Sequence, residues 1–570
     1  MGTAAVAAFR RVLRSQTPAA FLAFLVLAVT AQWMGGAYTS EFGEAPDEAA
    51  HFITSLMVRD YLAAGAPWPP MDYAVTYYEH YPKVALGHWP PLFYAAQGMW
   101  TLVFSPSRVS VMALQAFLAA LWGTLLFYGV KKRAPAWLAF AAGIALILNS
   151  MSRLLTREVM TEIPVALLVL CGCLLWARYL DEPQLRHSIA FGAIAAIALL
   201  TKGTGVLLAL LPPATAALSG RLRLLRSFHF WVPYVLIFGL AGPWYLLAPD
   251  TMHEHAIKQG ALNYGTPARV ALRIFASNWL RIQGWFLLPL VSAGIALRVA
   301  VPLIRRERTT GIWTVALASF LSMAAMCVYV PPSRELRHML LILPLLLMLA
   351  IEGLGWLGER PYLAGVPSRW RTWALACLLL VLSLSGGGAL PPKDYGGFGA
   401  VARDLLGRLK EPKQTVLVSS DSSGEGMFIS EFAAGDRRPG HRILRGSRVL
   451  STSDWFGKHA ALVYFTPGDV DRFLNSAAVA AVVLDEGAKD VAIHHDVLQR
   501  ALSASPREWR LAGVYPKRQG YSRPDGEIRL YLPAKERATS PEFTPSQLPD
   551  GLLKYRRQAP PSQRHRPAGD

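Results

Sequence analysis

The chain reads as a polytopic α-helical membrane protein with about eleven spans and a C-terminal extracytoplasmic α/β domain, and three observations lead there. Of its 570 residues 53% are hydrophobic and only 17% charged, with a mean hydropathy of +0.29, beyond the apolar content of an ordinary soluble protein. Apolar runs of roughly 20 residues, the length that crosses a hydrocarbon layer of about 30 Å, recur from Ala19 to about Pro392 and then stop. The net charge of +19 lies in short clusters between those runs, not on one stripe. That is the pattern of the positive-inside rule, not of a nucleic-acid-binding surface.

The elements follow in order. Arg10, Arg11 and Arg14 precede the first run, so residues 1–18 are expected in the cytoplasm. Spans are expected at 19–37, 109–130, 135–150, 162–179, 187–201, 204–219, 230–248, 279–298, 311–330, 338–356 and 372–390. The clusters Lys131-Lys132-Arg133, Arg178 with Arg186, Arg221 with Arg223 and Arg226, Arg298 with Arg305, Arg306 and Arg308, and Arg360 with Arg369 and Arg371 mark the cytoplasmic side. An odd number of spans then places the C-terminal domain outside a cell membrane, the plasma or inner membrane. Counting Trp89–Phe104 as a span would reverse that parity, and this stretch is read as interfacial or re-entrant. A cleavable secretory signal is the competing reading of the N-terminus, since Arg10 to Arg14 precede an apolar core and Val29-Thr30-Ala31. Cleavage would leave the side on which Asp47 lies unchanged.

The loops expected outside hold most of the acids and histidines of the membrane half, and several arginines besides. The first, 38–107, carries Asp47, Glu48, His51, Lys83 and His88. The second holds Arg153, Arg157, Glu158 and Glu162, the third His253, His255, Lys258 and Arg269, and the fourth Arg334, Glu335, Arg337 and His338. Adjacent carboxylates resist ionising together, so one of Asp47 and Glu48 can accept a proton while the other orients it or binds a cation. The plainer alternative is a helix start, with Pro46 in the first turn and acids favoured by the helix dipole. Arginines on an outer face run against the orientation rule. Arg153, Arg157, Lys202, Arg334 and Arg337 are therefore candidates for an anionic ligand such as a lipid phosphate, unless the loop glutamates pair with them. Lys83, His88, Glu158 and Glu162 complete the candidate substrate site. The spacing of His253 and His255 suggests a divalent metal without establishing one. Cys171, Cys173, Cys327 and Cys377 all fall in apolar runs and read as small core residues.

The order of these motifs resembles a known family. Pro46-Asp47-Glu48-x-x-His51 follows the first run. After it come Tyr81-Pro82-Lys83, His88-Trp89-Pro90-Pro91-Leu92-Phe93-Tyr94, Met160-Thr161-Glu162-Ile163-Pro164, Leu200-Thr201-Lys202-Gly203, Gly242-Pro243-Trp244-Tyr245, and Arg337-His338 opening a Leu/Pro-rich run. The set is similar to the GT-C glycosyltransferases, more narrowly to the branch holding protein O-mannosyltransferases and the aminoarabinose transferases that modify lipid A. The resemblance covers about Ala19 to Ala350. It implies a GT-C-like catalytic domain over 19–390 and an inverting transferase. Such an enzyme takes a sugar from a polyprenyl-phosphate donor to a lipid, glycan or protein acceptor on the extracytoplasmic side. Asp47 stands where the family has its basic first-loop aspartate. The chain departs from the family in His88-Trp89 before the Pro-Pro pair, and in Glu162 where aspartate is usual.

Two other function classes fit parts of the pattern. A flippase for lipid-linked sugars would place ionisable groups near the middle of its spans. Here they gather at the span ends. A glycan-binding sensor would make the loop acids incidental. Beyond Pro391-Pro392-Lys393-Asp394, residues 391–536 read as a soluble α/β domain, with strands at Thr415–Ser419 and Ala478–Leu484 and a helix at Glu425–Ala433. Gly424-x-Gly426 after a strand hints at phosphate binding but lacks the third glycine of the dinucleotide fingerprint, which favours a plain strand-to-helix turn. From about Arg537 to the end, Pro, Ser, Gln and Arg dominate and disorder is expected.

Overall fold

The computed structural model describes residues 16–85, 87–247, 265–307, 309–361, 365–385, 390–452, 460–488, 492–505, 507–520, 525–535 and 547. The membrane half is helical, and the chain is a multi-pass membrane protein. Among the described residues five helices are long and apolar enough to cross a bilayer: Thr17–Met34, Arg108–Lys131, Glu162–Asp181, Trp285–Ile304 and Gly311–Tyr329. Ala136–Leu148 with Ser150–Thr156 makes a sixth if the pair is one span bent by 61°. Leu185–Thr201, Gly203–Leu218 and Leu343–Gly358 are shorter apolar helices, and Phe228–Leu247 is helical through Pro233 and Pro243.

One expected span is divided at a glycine, and the stretch read as interfacial or re-entrant holds a short helix. The run expected at 279–298 divides at Gly284, whose φ of 77° ends the Ala268–Gln283 helix before the Trp285–Ile304 span begins. The Leu92–Val103 helix has only 12 residues, about 18 Å at 1.5 Å per residue, too short to cross. It lies instead against the Pro46–Ala63 helix, where Gly98 faces Ser55 and Arg59 so closely that a Cβ would sit 3.1 Å from the Arg59 amide nitrogen.

The C-terminal domain has a six-stranded sheet in the order β1-β7-β8-β6-β2-β3. Here β1 is Tyr395–Gly396, β2 Thr415–Ser419, β3 Arg442–Arg445, β6 Val479–Asp485, β7 Trp509–Gln519 and β8 Gly526–Pro533. β3, β2 and β6 run parallel, while β8, β7 and β1 join antiparallel. The remaining strands, β4 (Ser451–Thr452) and β5 (Ala461–Leu462), form a separate short ladder. β2 is buried at every position, as a strand covered on both faces must be. Helices Pro467–Ser476 and His495–Ala504 cover one face with Val470, Phe473, Leu474, Val497 and Leu498.

The other face is covered from two sources. Phe398, Val401, Met427, Phe428 and Phe432 of the domain's own helices share one hydrophobic core with Phe42, Phe52, Ile53, Leu56, Tyr77, Tyr81, Phe93 and Tyr94 of the first loop. The sheet domain and that loop are therefore one packed body. Polar clasps hold its rim. Arg438 Nε donates to Asp60 at 2.7 Å, Tyr81 to Asp436 at 2.7 Å, and Arg108 pairs with Glu431. The Glu41 carboxylate accepts from the backbone N–H groups of Gly397, Phe398 and Gly399 at 2.8–3.2 Å, capping the Phe398–Arg408 helix from outside the domain. Gly424 and Gly426 belong to a helix start. Asp421 caps Ser422–Gly435 by accepting from the Gly424 N–H at 2.7 Å. A Cβ on Gly426 would lie 2.9 Å from that of Ala49.

Candidate active site

Asp47 occupies the first turn of the Pro46–Ala63 helix, with Ala45 as an extended N-cap and Pro46 at the first helical position. Its side chain is 37% exposed and its Oδ2 lies 3.7 Å from Arg337 Nη1. Arg337 comes from the 3-10 turn Leu336–Leu341 and is gripped from behind, its Nε 2.6 Å from Glu335 and 3.2 Å from Glu162. Glu162, almost fully buried, opens the Glu162–Asp181 span and also receives Lys202 Nζ at 2.5 Å. Lys202 is held where the Leu185–Thr201 helix breaks before Gly203. Four segments far apart in the chain thus bring Asp47, Glu162, Lys202 and Arg337 into one charged cluster. Burial pulls against ionisation of Arg337, but Glu162, Glu335 and Asp47 hold it above its ordinary range, so it stays charged throughout the physiological range.

His51 follows Asp47 by one helical turn and so shares its face. Its Nδ1 lies 2.8 Å from the Tyr94 hydroxyl, and its ring lies against that of Trp89 at 4.1 Å between centroids. Burial pushes it down to about 4 despite the neighbouring Asp47 and Glu162, which keeps it neutral near pH 7. Lys83 donates to the Ser422 carbonyl at 3.1 Å, at the start of a helix of the sheet domain. Burial, then the Arg445 charge, push its ammonium down to about 7, with Glu425 and Asp47 acting in the other direction.

Other expected site residues are placed elsewhere. Glu48 is not beside Asp47 at the open cluster: it is fully buried, with Lys393 Nζ 2.6 and 2.7 Å from its two oxygens and the Val159 N–H at 3.3 Å. The cause is helix geometry, since consecutive residues point about 100° apart. Glu158 is buried nearby, and burial with the charges of Glu48 and Glu44 holds its carboxyl well above the usual range. Arg157, expected as a phosphate ligand, is 3% exposed and bound to Glu44 and to the Pro391 carbonyl, the latter at 2.7 Å. Arg334 donates to the carbonyls of Cys327 and Val328 and, at 2.8 Å, to Thr266 Oγ1. Arg153 is on the Ser150–Thr156 helix, and His88 lies against Trp89. His253 and His255 lie outside the described residues. Among the described residues no group of three His, Cys, Asp or Glu side chains is placed to hold a metal, and Glu162 is already engaged by two cations. Lys393, read in the sequence only as part of a linker, had no local signal beyond being a lysine after two prolines.

Residues 88–246 match the family model described as dolichyl-phosphate-mannose-protein mannosyltransferase. No curated protein matches. Among solved structures the chain is similar to ArnT from Cupriavidus metallidurans bound to undecaprenyl phosphate, at 14% identity and a TM-score of 0.52, covering 91% of this chain and 99% of that one. The apo form of ArnT gives 14% and 0.53, with 92% and 100% covered. The oligosaccharyltransferase of Archaeoglobus fulgidus in complex with Zn and sulfate gives 12% and 0.51, with 92% and 76% covered. At such identities the likeness is one of fold, and the fold is the GT-C fold that the motif order resembled.

Proposed function

We propose that this chain, built on the GT-C fold, is an inverting glycosyltransferase that moves a sugar from a polyprenyl-phosphate carrier to a hydroxyl of a lipid, glycan or protein acceptor at the extracytoplasmic face of a cell membrane. The observation that carries the reading is the part-exposed Asp47 carboxylate 3.7 Å from Arg337, itself fixed by Glu162 and Glu335. A base and a preorganised cation stand side by side. The similarity to a protein solved with undecaprenyl phosphate supports the class of donor.

The chemistry follows from the charges. An acceptor hydroxyl has a pKa far above 7 and needs a positioned base as it attacks. Asp47 takes the proton while the acceptor oxygen bonds to the anomeric carbon and the bond from that carbon to the phosphate oxygen breaks. One displacement inverts the centre and needs no covalent carboxylate, unlike the two-step retaining route. The leaving phosphate gains negative charge, and Arg337 with Lys202 meets it without having to reorganise, because Glu162 already holds both.

The test is transfer by purified full-length protein from a labelled panel of undecaprenyl- and dolichyl-phosphate sugars. Asp47→Asn keeps the shape but not the basicity, and should lower the transfer rate about 10²–10⁴-fold while binding of undecaprenyl phosphate changes little. Native-rate transfer by folded Asp47→Asn would remove the assignment. Movement of intact donor across vesicles without transfer would favour the flippase.

A further inference from the structure

We propose that Lys393 is a positioning residue for the reaction. Through Glu48 it fastens the first turn of the Asp47 helix to the sheet domain, making that domain part of the catalytic apparatus. The inference rests on the assignment of Asp47 as base, and its own support is geometric.

Asp47 and Glu48 are neighbours in one turn, yet Asp47 faces Arg337 and Glu48 faces Lys393, whose ammonium engages both Glu48 oxygens with the two side chains 1% and 0% exposed. The backbone around Lys393 is equally constrained. Its N–H donates to the Gly35 carbonyl at 2.8 Å, just past the first span. A Cβ on Gly36, whose φ is +75°, would lie 2.2 Å from the Lys393 carbonyl oxygen. Two residues earlier, Arg157 donates to the Pro391 carbonyl and grips Glu44, close before the same helix start. Two residues later, the Tyr395 N–H donates to Ser40 Oγ at 2.9 Å and β1 begins. The linker is thus threaded between the end of the first span and the start of the Asp47 helix, and the buried Lys393–Glu48 pair ties it directly to the first turn of that helix. Water is excluded from that pair, so the pair is directional and the orientation of the turn depends on it.

Losing this restraint lets the turn rotate. A displacement of about 1 Å at a reacting group costs on the order of 10²-fold in rate. Because Lys393 touches neither donor nor acceptor, the loss should fall on kcat, with KM for the donor within about threefold.

The experiment compares full-length wild type, Lys393→Arg, Lys393→Met and the double variant Lys393→Met/Glu48→Gln. The double variant removes the uncompensated buried charge, so that a folding defect and a positioning defect separate. Each is assayed for kcat and KM with the best donor of the panel. Each is also made with Asp47→Cys and Arg337→Cys, and the rate of joining these by a short bis-maleimide is followed by mass spectrometry. The second measurement needs no activity, so the positioning claim survives or fails even if no donor is turned over, which alone would count against the transferase reading. The expected result is a folded double variant with kcat lowered about 10–100-fold, a slower cross-link and partial recovery in Lys393→Arg. A folded double variant with native kcat and native cross-linking would overturn the proposal. So would a loss confined to KM.

Discussion

Arg337 is the residue on which the site turns, because it touches Asp47, Glu162 and Glu335 together. Its Nε is engaged by the two glutamates, and its Nη1 points toward Asp47. A charge-assisted hydrogen bond to a phosphate oxygen is worth roughly 1.5–3 kcal/mol. Arg337→Ala is therefore expected to weaken undecaprenyl phosphate binding about tenfold or more, and Arg337→Lys distinctly less; displacement of a fluorescent polyprenyl phosphate measures both. Equal binding in all three proteins would make Arg337 a structural counter-ion for Glu162. The candidacy of Arg337 and Lys202 was legible in the sequence, as cations on a face that orientation rules leave poor in them. The role of Arg157 was not. Whether an arginine serves a ligand or ties down a carbonyl depends on partners such as Glu44 and Pro391, 113 and 234 residues away.

At the scale of elements, helix ends supply both the site and its fastenings. Glu41 caps the Phe398–Arg408 helix from the first loop, and burial together with the Glu431 charge pushes it up to about 7 from 4.5. Between those two values the folded state holds the proton more tightly than the unfolded one, so stability from this group is greatest below about pH 4.5 and falls as pH rises to 7. At roughly 1.4 kcal/mol per pH unit, the loss is a few kcal/mol at most. Glu41→Gln still accepts the backbone N–H groups and does not titrate. Its thermal midpoint should fall less than the native one between pH 4.5 and 7, as read by tryptophan fluorescence; parallel curves would discard Glu41 as the titrating group.

The contact between the Ser422–Gly435 and Pro46–Ala63 helices makes a second prediction at this scale. A Cβ on Gly426 would meet Ala49 at 2.9 Å and Lys83 Cε at 3.1 Å. Gly426→Val should force the helices apart at a cost of about 1–3 kcal/mol, lowering the midpoint and speeding proteolysis in the 391–452 segment. The strand, turn and helix around Gly424 were visible in the sequence as a local pattern. That Gly426 serves helix contact was not, because the surface opposing it comes from the first loop.

For the whole molecule, the shared core of the first loop and the sheet places both on one side of the membrane. The basic cluster at Lys131 lies at the other end of the Arg108–Lys131 span from the loop. If the loop is outward, a membrane-impermeant maleimide applied to intact cells should modify Arg472→Cys, on the exposed surface of the sheet domain, and spare Lys132→Cys. The reverse pattern would invert the orientation and move the Asp47 cluster to the cytoplasmic face. The number of spans was less legible than their character. Hydropathy marks a segment as apolar but not where it breaks, and the breaks at Gly284 and after Asn149 are backbone events.

The sequence by itself determined the membrane class, the alternation of apolar runs with basic clusters, the strands and helix of the soluble domain, and the set of polar residues gathered at span ends. All of these follow from local physics: the transfer of side chains from water and the capping of helix ends act over a few residues. Only the tertiary structure decided which member of the Asp47–Glu48 pair faces the open cluster. Two neighbours on a helix point about 100° apart, and nothing in their own turn says which direction is solvent. That is settled by Lys393, 345 residues further along the chain, whose buried ammonium claims Glu48 and leaves Asp47 facing Arg337.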